Sequence, residues 1–314
     1  MKNYHIAFVG MGSIGKRHLM NVCQLITSQG GTYSIDLYRS SVTRELPENV
    51  EKLISNQYLC SQNIQREYDM VFITNPTSLH LETAVKFRPF TKAFFIEKPV
   101  FDTFDVEEYI IALLDEIPSY VACPLRYNPV LQYVKHHVDL EKVISVRAMS
   151  SSYLPDWRPG QDYRETYSAH AELGGGVDID LIHEWDYLTW IFGMPTECLG
   201  IAGRFSNLEI NSNDTALYVA KNDELTYELH LDYFGRKTQR MLEIFTQDDT
   251  IQCDIVGGIV SYLKGGNTLD FNSDRNTFQL AEIQHFFDIA EGRTANDSSV
   301  RHGIEVLKLT KAKI

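Results

Sequence analysis

Residues 10–15 read Gly10-Met11-Gly12-Ser13-Ile14-Gly15. Ahead of them runs the short apolar stretch Tyr4-His5-Ile6-Ala7-Phe8-Val9, and behind them residues 16–26 carry apolar side chains at helical spacing. A G-x-G-x-x-G run between a strand and a helix is the fingerprint of a dinucleotide-binding turn. Gly10 permits the tight turn, Gly12 lets backbone approach a pyrophosphate, and Gly15 lets helix pack closely on strand. Ser13 and Ile14 fall in the first helical turn, where free N–H groups and a partial positive charge face phosphate. The pattern therefore constrains the first part of the chain to a doubly wound α/β fold.

A length of 314 residues suggests two domains, and 44% hydrophobic with 23% charged residues is ordinary for a globular protein. The net charge of −13 argues against a nucleic-acid partner, which needs a basic face. No apolar run reaches bilayer-spanning length and the N-terminus lacks a signal-peptide pattern, so no membrane partner is expected. Cys23, Cys60, Cys123, Cys198 and Cys253 show no paired or C-x-x-C spacing. A cytoplasmic, reducing location and the absence of a metal site are the matching expectations.

A second strand over residues 33–38 ends at Arg39-Ser40-Ser41. An acid at this strand's end accepts from a ribose 2′-OH and selects NAD, whereas Arg accommodates the 2′-phosphate of NADP. Asp36 lies near the expected distance beyond Gly15 and supports NAD, but it reads as mid-strand. Arg39 and Ser40 occupy the strand end and tilt the reading to NADP. Residues 68–73 form a buried-type strand that stops at Asn75-Pro76-Thr77, where the carboxyl ends of strands meet ligands. A helix follows over 78–87, with His80 near its start. The next strand, 93–96, ends at Glu97-Lys98-Pro99. A helix over 105–117 and a strand over 119–123 complete this half.

The glycine motif, then Asn-Pro-Thr, then Glu-Lys-Pro, then Arg126-Tyr127-Asn128-Pro129 and Gly174-Gly175-Gly176 stand in an order that resembles the Gfo/Idh/MocA family of oxidoreductases. The resemblance implies an N-terminal Rossmann domain over 1–123, with a doubly wound parallel sheet. It also implies a C-terminal α+β domain over 124–314 with a large open, mostly antiparallel sheet that serves substrate binding and subunit pairing as a homodimer or homotetramer. It places Lys98 beside the nicotinamide and the carbon that exchanges hydride. Oxidising an alcohol needs its proton drawn off and reducing a carbonyl needs its oxygen polarised, and a cation aids both. Glu97 then fixes the lysine or the cofactor, with Asn75, Thr77 and His80 on the cofactor side.

In the family a glycine run precedes a helix carrying Asp-x-x-x-His. Here Asp180 takes the Asp place, but Glu184 stands at the His place and His183 one residue early, with Asp186 keeping the spacing that follows the family His. Both i+3 and i+4 share the face of Asp180 on a continuous helix. His183 is preferred as acid/base because imidazole titrates near neutral pH, with Glu184 in reserve and Asp180 as the orienting group. A carboxylate tying the helix to Arg126 is the structural alternative for either acid.

The stretch Tyr153-Leu154-Pro155-Asp156-Trp157-Arg158-Pro159-Gly160-Gln161-Asp162-Tyr163-Arg164 mixes aromatic and Arg residues between Pro and Gly. Aromatic rings stack on sugars or bases and Arg forks onto carboxylate or phosphate. Trp157, Arg158, Tyr163 and Arg164, with Arg126 and Tyr127, are the candidate substrate contacts. Residues 216–220, 226–233 and 239–245 alternate like antiparallel strands, and 277–292 and 302–313 read as closing helices. The expected function is NAD(P)-dependent hydride transfer at a secondary alcohol or ketone of a sugar or nucleotide-sugar. The alternatives are a polyol, inositol or imine oxidoreductase of the same fold, or a non-catalytic dinucleotide- or sugar-binding regulator.

Overall fold

The computed structural model describes residues 2–43, 45–271 and 274–312. The chain divides into two compact units: Met1–Ala122 with Gln279–Glu305, and Cys123–Phe278 with Val306–Ile314.

The first unit holds strands β1 (Asn3–Val9), β2 (Thr32–Arg39), β3 (Asn56–Leu59), β4 (Met70–Ile73), β5 (Phe94–Ile96) and β6 (Ser119–Val121). They form one sheet in the order β3-β2-β1-β4-β5-β6, every pairing parallel. The order reverses between β1 and β4, which is where such sheets bind ligands beyond their carboxyl ends. A parallel sheet is covered on both faces, and every residue of β4 and β5 is accordingly buried. Helices α1 (Ser13–Ser28), α2 (Glu48–Glu51), α3 (His80–Phe87) and α4 (Glu108–Asp115) flank it. Helix α1 buries Gly15, His18, Leu19, Val22 and Ile26, the stripe that a 3.6-residue period lays against a sheet.

The second unit holds β7 (Val143–Tyr153), β8 (Glu197–Gly203), β9 (Thr215–Lys221), β10 (Thr226–Asp232), β11 (Phe234–Thr246), β12 (Thr250–Asp254), β13 (Ile259–Tyr262) and β14 (Thr268–Asp270). Their order is β14-β13-β12-β11-β7-β10-β9-β8, antiparallel except for the parallel pair β7–β10. Buried and exposed residues alternate along β9 and β10, so one sheet face is apolar. Val146, Leu229, Leu231, Leu242 and Ile244 from the sheet share a core with Trp185 and Leu188. The helices of this unit are α5 (Pro129–His137), α6 (Val177–Asp180) and α7 (His183–Phe192). The β7–β11 register shifts between Phe234 and Gln239, which leaves Arg236 and Lys237 exposed on a bulge.

Two helices close the chain, α8 (Arg275–Ala290) and α9 (Val300–Thr310). Residue 313, where the sequence reading ended the last helix, lies outside the described residues. The sequence division gave all of 124–314 to the second domain, but Gln279–Glu305 belongs to the first unit. The reason is aromatic packing. Phe8, Phe72 and Phe95 stack across neighbouring strands with centroids 4.6 and 4.9 Å apart, and Phe286 sets its edge against Phe72 at 5.4 Å and Phe95 at 5.3 Å. Phe287 packs on Tyr4 at 5.4 Å.

Candidate functional site

The glycine turn has the geometry that a dinucleotide needs. Gly10 adopts φ +94°, and a Cβ there would come within 2.6 Å of the Asn75 backbone. A Cβ on Gly15 would meet Thr74 Oγ1 at 2.7 Å, so α1 rests directly on the end of β4. At Gly12 a Cβ would meet nothing within 4 Å, which leaves open space for a ligand to approach the backbone. Helix α1 then starts at Ser13 with no side-chain cap and no acid in its first turn. Its first N–H groups lack intrahelical partners, and the first turn itself carries no negative charge to oppose an anion. These residues fit a pyrophosphate.

At β2, Asp36 pairs with Ala7 in mid-strand, is 1% exposed, and accepts from Asn56 Nδ2 at 2.8 Å and Tyr68 OH at 2.9 Å, with Arg66 at 3.3 Å. Its carboxylate is occupied inside the unit. Arg39 is the last residue of the strand, and Nη1 donates to Gln57 Oε1 at 3.1 Å. Ser40 follows, exposed. The reading of Arg39 as a solvated surface cation fails, since the residue is 8% exposed.

Strands β4 and β5 deliver the other candidates to the same sheet edge. Asn75 donates from Nδ2 to Thr83 Oγ1 at 2.8 Å, while its Oδ1 is buried without a hydrogen-bond partner. Thr77 opens a 3-10 turn ahead of α3 and is half-buried. His80 was expected to touch the cofactor, but its ring is turned inward. Nδ1 sits 3.1 Å from the carbonyl oxygens of Pro99 and Val100, and Nε2 is 3.0 Å from that of Asn75. Burial pushes its pKa down, against the opposing pull of those carbonyls and of Glu97. The ring joins two loops instead of facing open space.

Glu97 accepts from His18 Nε2 at 2.5 Å through Oε1 and from the Lys98 backbone N–H at 3.1 Å through Oε2. Burial alone would raise its pKa. The His18 hydrogen bond and charge, with Lys98, hold it below the ordinary carboxylate value. Lys98 itself is half-buried at the end of β5.

In the second unit the expected single helix is interrupted. Helix α6 ends at Asp180, Leu181 and Ile182 make a turn, and α7 begins at His183. The i+3 and i+4 argument between Asp180 and His183 or Glu184 therefore does not hold. Asp180 is 5% exposed and accepts from the Tyr167 hydroxyl and, at 2.6 Å, from the Tyr233 hydroxyl. Burial and the Asp180 charge push both phenols up, so they donate. Glu184 is fully buried with Oε1 2.5 Å from Arg240 Nε, which makes it a core ion pair and removes it as the reserve acid/base. His183 stays half-buried at the first position of α7. The Arg126 guanidinium forks onto Asp186, with Nε 3.0 Å and Nη2 2.7 Å from its oxygens, and Arg126 is 1% exposed. The expected substrate contact at Arg126 is thus a buried pair, on the tie foreseen as the structural alternative but with Asp186 as the acid. Tyr127 ends the adjoining 3-10 turn, half-buried.

The 153–164 stretch folds into short 3-10 turns. Trp157 donates from Nε1 to Ser152 Oγ at 3.0 Å and stands edge-on to Tyr233 at 5.2 Å. Arg164 is paired with Asp162 and Glu209 at 2.7 Å each, and the Tyr163 hydroxyl accepts from Glu209 N–H at 3.2 Å. Arg158 instead lies 5.6 Å from the Tyr167 ring centre, and Arg236 lies 3.9 Å from that of Tyr153. Among the described residues neither cation has a carboxylate within ion-pair distance. Sequence reasoning missed Arg236, Tyr233 and His18. Tyr233 and Arg236 stand far from residues 153–180 in sequence and meet Asp180, Trp157 and Tyr153 only once the chain is folded, whereas His18, one turn past Gly15, was in view as a helix residue.

No family model matches the chain. An uncharacterized oxidoreductase, YrbE of Bacillus subtilis (strain 168), is 23% identical over 188 residues. That match covers 59% of this chain and 52% of the relative, so the chain spans about half the length of the curated relative it matches. Among solved structures, UDP-N-acetylglucosamine 3-dehydrogenase from Acidithiobacillus ferrooxidans superposes with a TM-score of 0.77 at 18% identity, covering 99% of this chain and 96% of that one. The WlbA dehydrogenase from Bordetella pertussis, solved with NADH and UDP-GlcNAcA, gives 0.78 at 16% identity over 99% and 95%. The chain has the fold of these dehydrogenases. Both of its sheets fall within the region matched, so the likeness extends to each unit.

Proposed function

We propose that the chain is an NAD(P)-dependent oxidoreductase of the Gfo/Idh/MocA kind, exchanging hydride with a secondary alcohol or ketone of a nucleotide-activated or acidic sugar. The observation that carries this reading is a shared strand edge. The glycine turn after β1, Asn75 after β4 and Lys98 after β5 leave one edge of one parallel sheet on adjacent strands. A bound nicotinamide cofactor supplies the hydride chemistry. The Lys98 ammonium steadies oxyanion character on the reacting oxygen, and His183 passes the proton. Asp180, held by two phenols, is the fixed acceptor that orients a sugar hydroxyl. Arg158 and Arg236, cations without carboxylate partners among the described residues, suit a diphosphate or carboxylate on the substrate. The likeness to an enzyme solved with a UDP-sugar acid supports that substrate class.

Arg39 and Ser40 at the end of β2, with Asp36 occupied in mid-strand, favour NADP over NAD. The exposed cross-strand pairs Leu199–Val219 and Ile201–Leu217 form an apolar patch on the outer sheet face, which favours a homodimer or homotetramer. No helix among the described residues is long and apolar enough to cross a membrane. The five cysteines are free thiols, which suits a reducing cytoplasm.

The deciding experiment follows nicotinamide absorbance with NAD or NADP and a panel of UDP-sugars, GDP-sugars, free sugars and polyols. Turnover on a nucleotide-sugar, abolished in Lys98→Ala while NADH binding survives, is the expected result. Tight binding of cofactor and sugar without turnover on any candidate would replace the enzyme with a binding protein.

A further inference from the structure

His18 and Glu97 belong to elements distant in sequence and meet inside the first unit. Helix α1 carries His18 one turn past Gly15, with its side chain 2% exposed and its ring edge-on to Phe95 at 4.8 Å. Its Nε2 donates to one oxygen of Glu97 at 2.5 Å, and the other oxygen accepts the Lys98 N–H at 3.1 Å. The helix that faces the phosphates is thereby bonded, through one carboxylate, to the backbone of the lysine. On the far side of that turn, His80 lies against the carbonyls of Pro99 and Val100.

We propose that His18 is a positioning residue for Lys98, acting through Glu97 to fix the lysine's backbone relative to the glycine turn. The inference rests on the dehydrogenase reading for its catalytic consequence, though not for the contact itself. Without a donor at the place of His18 Nε2, one oxygen of a nearly buried carboxylate loses its partner. The carboxylate then turns or takes up a proton, and the Lys98 amide loses a fixed acceptor. His80 still holds Pro99 and Val100, so the turn persists while the orientation of Lys98 relaxes. Misplacing a reacting group by about 1 Å costs on the order of 10²-fold in rate.

The test compares His18→Gln with His18→Asn. Both are polar and similar in size, but the glutamine amide reaches the place of Nε2 and the asparagine amide reaches only that of Nδ1. Three quantities are read in the full-length protein: Lys98 amide hydrogen exchange, NADH affinity by fluorescence, and turnover of the nucleotide-sugar the wild type accepts. His18→Asn is expected to lose about tenfold in Lys98 amide protection, as a local opening would produce. It is also expected to lose about 10²-fold in kcat, with KM and NADH affinity nearly unchanged. His18→Gln recovers most of both. Unchanged Lys98 exchange in His18→Asn overturns the proposal, as does equal kcat in the two variants. Failure of the wild type to turn over any sugar overturns the dehydrogenase reading instead, and the exchange data then judge the contact alone.

Discussion

Asp186→Ala removes the partner of a guanidinium that is 1% exposed, and the cost follows from the surroundings. Removing one member of a buried ion pair costs about 3–5 kcal/mol, because the remaining charge stays desolvated. Asp186 itself is 15% exposed, so water reaches part of the space it vacates and the lower end applies, about 3 kcal/mol. The Trp190 ring, 5.7 Å from Arg126, is a weak substitute, and Lys135 adds a second cation to the neighbourhood. At about 1.4 kcal/mol per decade, the unfolding equilibrium shifts on the order of 10²-fold. Urea titration followed by tryptophan fluorescence reads this directly, since Trp157, Trp185 and Trp190 all belong to the second unit. Replacing both partners, as Arg126→Met with Asp186→Leu, recovers at least half of the loss, because no charge is left buried. If Asp186→Ala stays within about 0.5 kcal/mol of wild type, the desolvation argument is refuted. The double variant also tests function: a structural pair leaves KM for the sugar unchanged, and a substrate contact at Arg126 raises it.

Gly15→Ala should destabilise the first unit by about 1–3 kcal/mol through overpacking and weaken NADH binding. Adding Thr74→Ala, which clears the 2.7 Å contact, restores part of the stability in a double-mutant cycle; strict additivity would contradict the contact. Arg39→Ala should weaken NADP binding more than NAD binding, whereas Asp36→Ala lowers stability with the cofactor ratio unchanged, and calorimetric titration distinguishes them. Glu97 has a lowered folded pKa, so its stabilisation is complete above the ordinary carboxylate value of 4.5 and is lost as pH falls through the lowered folded value. Glu97→Gln should flatten the acid limb of the stability-against-pH curve, and an unchanged limb would assign it to other carboxylates.

The glycine turn was legible because its residues answer backbone demands: Gly10 at positive φ and Gly15 against Thr74 leave no room for a side chain. The mid-strand place of Asp36 was also readable, since strand length is a local property. The break after Asp180 was not, because neither Leu181 nor Ile182 is a residue that signals a turn. Without the break, Glu184 could not be told from His183 by spacing. Its burial against Arg240 depends on a strand more than fifty residues later, since the two are 56 positions apart. The same holds for Asp186 with Arg126, 60 positions apart, where the sequence showed that a tie was available and not which acid made it.

The return of Gln279–Glu305 to the first unit sets a condition on biosynthesis. Phe286 and Phe287 are translated long after the strands whose rings they cover. Until they emerge, the nascent first unit presents Tyr4, Phe72 and Phe95 without their lid, a sticky surface of the kind chaperones guard. A fragment cut at residue 123 inherits that defect permanently, so a soluble stand-alone version of this half needs the 279–305 segment spliced back on.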